Sequence, residues 1–138
     1  MFKKLSTNMM VEDVGRTLKF YQNVLGFDFV LAVPQNSQQI LAKISDDTPL
    51  GFAIVQKGDV QMMFQSRKSL EAELPVFKDA KVGGSVTFYL EVEDVKALYA
   101  QIKDKVTIVK DMHTTFYGMQ EFYICDCNGY VLTFAGKE

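Results

Sequence analysis

The sequence predicts an α+β fold of two tandem βαβββ modules whose sheets pair into one concave surface. Three observations predict it. The tetrapeptide Val11-Glu12-Asp13-Val14 returns unchanged as Val92-Glu93-Asp94-Val95. Each copy follows a run that alternates apolar and polar residues, the period of a half-buried strand. Each precedes an amphipathic helix and then further strand-like runs. Two copies are too few for a solenoid, so the repeat reads as a duplication within a single domain. Module one spans 1–65, a linker 66–84, and module two 85–138.

Residues 4–11 alternate through Leu5, Thr7, Met9 and Val11, which would face the first helix. Ser6, Asn8 and Met10 would face the other way. Asp13 stands where a helix N-cap accepts orphan amide hydrogens. Val14, Leu18, Tyr21 and Leu25 follow on one helical face, and Gly26 ends the helix as a residue tolerant of positive φ. Phe27 to Val33 reads as a strand stopped by Pro34. Residues 35–49 have no clear period and their type stays open. Leu50–Gln56 and Val60–Gln65 read as strands joined by the turn Lys57-Gly58-Asp59. Ser66–Leu74 suits a short helix closed by Pro75, and 76–84 read as a connection ending in Gly83-Gly84.

The pattern then restarts. Val86, Phe88, Leu90 and Val92 would lie under a second helix, leaving Thr87, Tyr89 and Glu91 on the opposite face. Asp94 caps that helix, which carries Val95, Leu98 and Ile102 on one face. Val106–Val109 is a strand, followed by a loop through His113 and Tyr117-Gly118. Gln120–Cys125 and Tyr130–Ala135 are the last strands, joined by the turn Asp126-Cys127-Asn128-Gly129. In the first of these, Phe122 and Ile124 would point towards the helix, Glu121 and Tyr123 away from it.

Composition excludes several classes. Fifteen Lys and Arg against seventeen Asp and Glu give a net charge of −2, and no Lys/Arg run exceeds a pair. A nucleic-acid binder would carry a basic stripe. No apolar run approaches the roughly 20 residues of a membrane span. Lys3-Lys4 has no apolar segment behind it, so no secretory signal is expected. The two cysteines are then expected to be reduced thiols in the cytoplasm.

Val11-Glu12-Asp13-Val14, Lys19-Phe20-Tyr21 and Leu25-Gly26-Phe27 together resemble the signature of the vicinal oxygen chelate superfamily, the glyoxalase, bleomycin-resistance and dioxygenase group. Tyr117-Gly118-Met119, Glu121-Phe122-Tyr123 and Asp126-Cys127-Asn128-Gly129-Tyr130 are similar to that group's C-terminal pattern. The resemblance implies two βαβββ modules curled into a half-open, mixed β-sheet cavity with helices outside. It also implies one divalent metal at four positions, usually His, Glu or Gln. Placed by distance from the motifs, those positions are Ser6, Met62 or Met63, Thr87 and Thr133. Hydroxyls and a thioether are poor ligands for hard or borderline divalent ions. The expectation is therefore a member of the metal-free, bleomycin-resistance-like branch, with no cofactor, no catalytic residue and no metal ligand.

The other chemistry-bearing residues have plainer readings beside their functional ones. His113, the single histidine, suits a base or a ligand, but its polar surroundings favour a surface loop. Cys125 and Cys127 make half a zinc site with no second pair. Glu91 and Glu121 are candidate paired carboxylates, with Glu121 the better placed inward. Tyr89, Tyr117, Tyr123 and Phe64 offer rings to a planar or cationic ligand, while most of the 17 aromatics must be core. Asn8 is polar in an apolar strand and suits a hydrogen bond to a ligand. The expected ligand-binding set is Ser6, Asn8, Met63, Phe64, Thr87, Tyr89, Tyr117, Glu121, Tyr123 and Thr133.

The function expected from all of this is the sequestering or sensing of a small organic molecule by a cytoplasmic homodimer, with antibiotic resistance one use and cationic drugs one class. Partners among nucleic acids or membranes are not expected. Two alternatives stay open. One is a metal-dependent lyase, isomerase or dioxygenase with atypical ligands, recruiting His113 or Glu121. The other is an interaction module whose cavity is vestigial.

Overall fold

The computed structural model describes residues 1–137 and divides into two compact units, Met1–Val82 and a second from Gly83 onward. The first contains β1 (Thr7–Val11), α1 (Val14–Asn23), β2 (Asp28–Pro34), β3 (Leu50–Lys57), β4 (Val60–Ser66) and α2 (Arg67–Glu73). The second contains β5 (Thr87–Glu91), α3 (Val95–Ile102), β6 (Thr107–Thr114), β7 (Met119–Cys125) and β8 (Val131–Lys137). The sheets have the same order, β1-β4-β3-β2 and β5-β8-β7-β6. In each, the first strand runs parallel to the last and the other pairings are antiparallel. The fold is α+β with two tandem βαβββ modules, as the repeat predicts.

The repeated tetrapeptide earns its place through its aspartate. Asp13 Oδ1 accepts from Arg16 N at 3.0 Å, and Asp94 Oδ1 accepts from Ala97 N at 3.0 Å. Each carboxylate satisfies one of the amide hydrogens that a helix start leaves unpaired. Gly26 takes φ +75° just after α1 and lets the chain turn into β2. The Asp126–Gly129 turn is tied by Asp126 Oδ1, which accepts from Asn128 N at 2.8 Å and Tyr130 N at 2.9 Å.

Between sheet and helix each module packs one dry layer. In module one, Tyr21 of α1 meets Phe64 of β4 with ring centroids 4.7 Å apart, and Ala53 lies across from Phe64 on β3. In module two, Phe122 and Phe134 are cross-strand partners with ring centroids 5.3 Å apart, and Ile102 is a fully buried helix residue. Met9, Val11, Leu18 and Val55 complete the first layer, Leu90, Val95, Ile124 and Leu132 the second. Burying residues of this size contributes roughly 1.5–3 kcal/mol each before entropy is counted.

Three expectations need correction. Leu5 and Val86 do not face the helices; the strands begin at Thr7 and Thr87, and both side chains are exposed. Before a parallel ladder starts, no neighbouring strand holds the chain to its alternation. His113 is not in a loop, because β6 runs on to Thr114 in pairing with β7. Cross-strand hydrogen bonds there override a sequence that reads as polar and irregular. Ser66–Leu74 does form a helix, but Pro75 opens a 3-10 turn over Pro75–Phe77 rather than a bare connection. Residues 35–49 stay irregular apart from one bridge, Ala32 to Leu41. No helix among the described residues is long and apolar enough to cross a membrane.

Candidate functional site

The sheet face turned away from α3 carries the densest polar chemistry in the molecule. Glu121, in the middle of β7, is fully buried. Its Oε2 accepts from Tyr89 Oη at 2.5 Å and from Tyr117 Oη at 2.6 Å, and its Oε1 accepts from Tyr123 Oη at 3.2 Å. Tyr89 comes from β5 and Tyr123 from β7. Tyr117 comes from the β6–β7 turn, which is closed by Thr115 N donating to Met119 O at 2.8 Å and by Gly118 at φ +84°. Ala135 separates β5 from Glu121 on this face, and its small side chain leaves room for the carboxylate. His113 pairs with Glu121 across β6 and β7, and its ring lies 5.9 Å from that of Tyr123.

The electrostatics follow from that geometry. Burial pushes the Glu121 carboxyl upward, but the bonds from Tyr117, Tyr89 and Tyr123 and the field of His113 outweigh it, and the net shift is downward. Its acceptor role in turn lifts Tyr89 well above the ordinary phenol value, the hydrogen bond to Glu121 acting first and burial second. Tyr117 rises for the same two reasons in the same order. Tyr123 rises chiefly through burial and then through the Glu121 charge. At neutral pH the Glu121 carboxylate is therefore charged beneath neutral phenols. Tyr89 and Tyr117 remain 48% and 54% exposed, so two rings tied to that charge are open to solvent. The arrangement suits a cationic or planar molecule, through ring faces and hydroxyls rather than direct ion pairing.

Module one carries a different polar set on the equivalent face. Ser6 Oγ donates to Gln61 Oε1 at 2.9 Å, and Asn8 Nδ2 donates to Gln65 Oε1 at 2.9 Å. Gln65 Nε2 then donates to Ser69 Oγ at 2.9 Å and Glu73 Oε1 at 3.3 Å. Met63 lies between the two glutamines opposite Asn8, whereas Met62 is buried opposite Thr7 on the helix side. The register thus assigns the face to Met63 and not Met62.

Within module two the structure brings Tyr89, Tyr117, Glu121, Tyr123 and Thr133 together. Thr133 is buried between Tyr89 and Tyr123 in the strand register. Thr87 lies at the exposed start of β5. Within module one it brings together Ser6, Asn8 and Met63. Phe64 is on the other side of its sheet, fully buried against Tyr21, because an odd step along β4 reverses the face. Glu91 is exposed and stands two strands from Glu121, so the carboxylates do not pair. Cys125 and Cys127 form no disulfide among the described residues. Gln61 and Gln65 are the residues that the sequence reading missed. Their spacing with Met63, every second residue along β4, is the signal that finds them.

The chain belongs to the Glyoxalase/Bleomycin resistance protein/Dioxygenase superfamily, whose model matches residues 5–134. A member of that superfamily from Sphaerobacter thermophilus is similar in structure, with a TM-score of 0.74 at 19% identity, covering 99% of this chain and 98% of its own. TioX from Micromonospora sp. ML1 gives 0.71 at 15%, covering 99% and 100%. The bleomycin-binding protein of Streptomyces verticillus, solved with copper(II)-bleomycin, gives 0.61 at 19%, covering 100% and 98%. No curated protein sequence matches the chain.

The superfamily's metal can be tested against the donors present. Ser6 and Thr87 offer neutral hydroxyls, Met63 a thioether and Thr133 a buried hydroxyl. Such a set does not fit a divalent ion that takes imidazole and carboxylate ligands. Among the described residues no three of His, Cys, Asp and Glu come together. Glu121, the buried carboxylate on the module-two face, already has both oxygens engaged by phenols.

Proposed function

We propose that this protein binds a small organic molecule, without a resident metal, on the aromatic face of module two, and that it sequesters or senses the ligand rather than transforming it. The observation that carries the reading is Glu121, a buried carboxylate held by three tyrosines, two of which keep open rings. Ligand sites join apolar and aromatic walls to a few fixed polar groups, and this face has that make-up. A cationic ligand matches the charge. The fold neighbour solved with copper(II)-bleomycin supports the class without naming the ligand. The same reading takes in a homodimer, a role in antibiotic resistance and a cytoplasmic setting.

The test has two arms. Purified protein is incubated with Ni, Zn, Mn and Fe(II) and its metal counted by mass spectrometry. Organic cations, copper(II)-bleomycin among them, are screened by thermal shift against wild type and Tyr89→Ala. The expected result is substoichiometric metal, with at least one cation stabilising wild type and losing about tenfold in affinity on Tyr89→Ala, the scale of one aromatic contact. One tightly held metal per chain would overturn the metal-free reading and favour a lyase, isomerase or dioxygenase. Cations that stabilise wild type and Tyr89→Ala equally, or neither, would overturn the placement on this face.

A further inference from the structure

Module one holds a cleft that the reading above does not use. It has a volume of about 670 Å³, within the range of small-molecule sites. Val33 and Pro34 at the end of β2 and Phe52 of β3 supply its apolar lining. Gln35, Asn36, Ser37 and Gln38 form one polar wall, and α2 forms the other through Lys68, Ser69, Ala72 and Glu73.

Its shape is held from beneath. Gln35 Oε1 accepts from Ser66 Oγ at 3.0 Å, the hydroxyl that also caps α2. A Cβ on Gly51 would stand 2.8 Å from that same Gln35 oxygen, so the glycine makes room for the link between the two walls. Asn36 takes φ +59°, which turns the chain sharply along the rim. Gln65 is buried and, through its Nε2, fixes Ser69 and Glu73 in place.

Its charge pattern is specific. Lys68 and Glu73 carry opposite charges on the same cleft wall, and neither has an ion-pair partner among the described residues. They are separated by about 7.5 Å along the helix axis, at 1.5 Å per residue. Two opposite charges that line one cleft and leave each other unpaired present an ammonium and a carboxylate to whatever enters.

We infer that this cleft is a second binding site, for a small zwitterion with an apolar side group, such as an aromatic amino acid. The ligand's carboxylate meets Lys68, its ammonium meets Glu73, and its side group lies on Phe52, Val33 and Pro34. Gln65 is a positioning residue that aims Glu73. The inference concerns module one alone and stands independently of the aromatic face of module two.

The test uses the full chain and calorimetric titration with L-phenylalanine, 3-phenylpropionate and phenethylamine, which carry both charges, the negative one and the positive one. Wild type is expected to bind phenylalanine at least tenfold more tightly than either analogue. Lys68→Ala should remove the advantage over phenethylamine, and Glu73→Gln the advantage over phenylpropionate. Ala72→Phe adds a ring on the exposed side of α2, inside the cleft, and should abolish binding without touching the core. The test of the module-two face reads Tyr89 and this one reads Lys68, Glu73 and Ala72, so the failure of one is distinguishable from the failure of the other. No phenylalanine binding at millimolar concentration, equal binding of the three probes, or full binding by a folded Ala72→Phe variant would each overturn the inference. Circular dichroism confirms folding of each variant.

Discussion

The two modules share a sheet order, a helix cap and a core layer, yet their open faces differ in kind. Position by position, Asn8 of module one stands where module two has Tyr89, Met63 where it has Thr133, and Gln65 where it has Ala135. Phe52 stands where module two has Glu121. The polar anchor has moved from the last strand in module one to the third in module two, and the residue across from it has changed accordingly. Module one faces out with neutral amides around an apolar-floored cleft, module two with a charge under phenols. The core layer is exchanged in the same complementary way. Module one has the large Tyr21 on its helix and the small Ala53 on its strand; module two has Ile102 and Phe122. Each layer is filled by a large ring, from the helix in module one and from the third strand in module two, and chemistry is free to diverge where packing does not constrain it.

The largest test of that contrast is in the shared layer. Phe64→Ala and Phe134→Ala remove equivalent buried rings, and each is expected to cost about 3–5 kcal/mol in urea unfolding. A loss below about 1 kcal/mol in one of them would mean that the two layers are not equivalent.

The open faces should respond unequally. Glu121→Ala strands three hydroxyls, two of which can reach water, and should cost about 2–4 kcal/mol, whereas Gln65→Ala should cost about 1–2 kcal/mol. The pH dependence sharpens the distinction. Glu121 is held below its ordinary value of 4.5, so its contribution is complete above that value and is lost as pH falls through the lowered native one. Tyr89 is held above its ordinary value of 10.0, so its contribution is complete below that value and is lost as pH rises through the raised one. Glu121→Gln should flatten the acid side of the stability profile, and Gln65→Ala should leave that side unchanged because amides do not titrate there. An unchanged acid limb in Glu121→Gln would remove the carboxylate from the account.

The helix caps should be matched. Asp13→Ala and Asp94→Ala are each expected to cost about 1 kcal/mol, read from the same unfolding curves. Inequality beyond about 0.5 kcal/mol would show that the tetrapeptide serves one module more than the other. The smallest effect has the opposite sign. Thr7 stands where module two has Phe88, and its buried hydroxyl has no partner among the described residues. Thr7→Val should leave stability unchanged or raise it by about 0.5–1 kcal/mol, since an unsatisfied buried hydroxyl is a cost. A clear loss would reveal a partner for that oxygen.

Much of the architecture was legible because it rests on local rules. The duplicated Val-Glu-Asp-Val, the period of two before it and the period of about four after it locate β1, α1, β5 and α3. Gly26 and Asp126–Gly129 mark turns whose backbone needs those residues. Strand starts were less legible. Leu5 and Val86 fit the alternation, but a strand begins only where a neighbour supplies hydrogen bonds. The extension of β6 through His113 was hidden for the same reason, since its pairing partner lies across a turn and its own residues are polar.

The site was legible in its residue types and not in its grouping. The sequence alone determined that Glu121 and Tyr123 share one face of their strand, because alternation is a property of the chain. The resemblance to the family puts hydroxyls and one thioether at the expected metal positions. Tertiary structure decided that Tyr117 swings from a turn onto the Glu121 carboxylate, that Phe64 belongs to the core, and that Gln65 reaches from Asn8 to Glu73. Those facts depend on register between strands distant in sequence. A shift of one residue there exchanges a core ring for a surface amide, and no local preference fixes it.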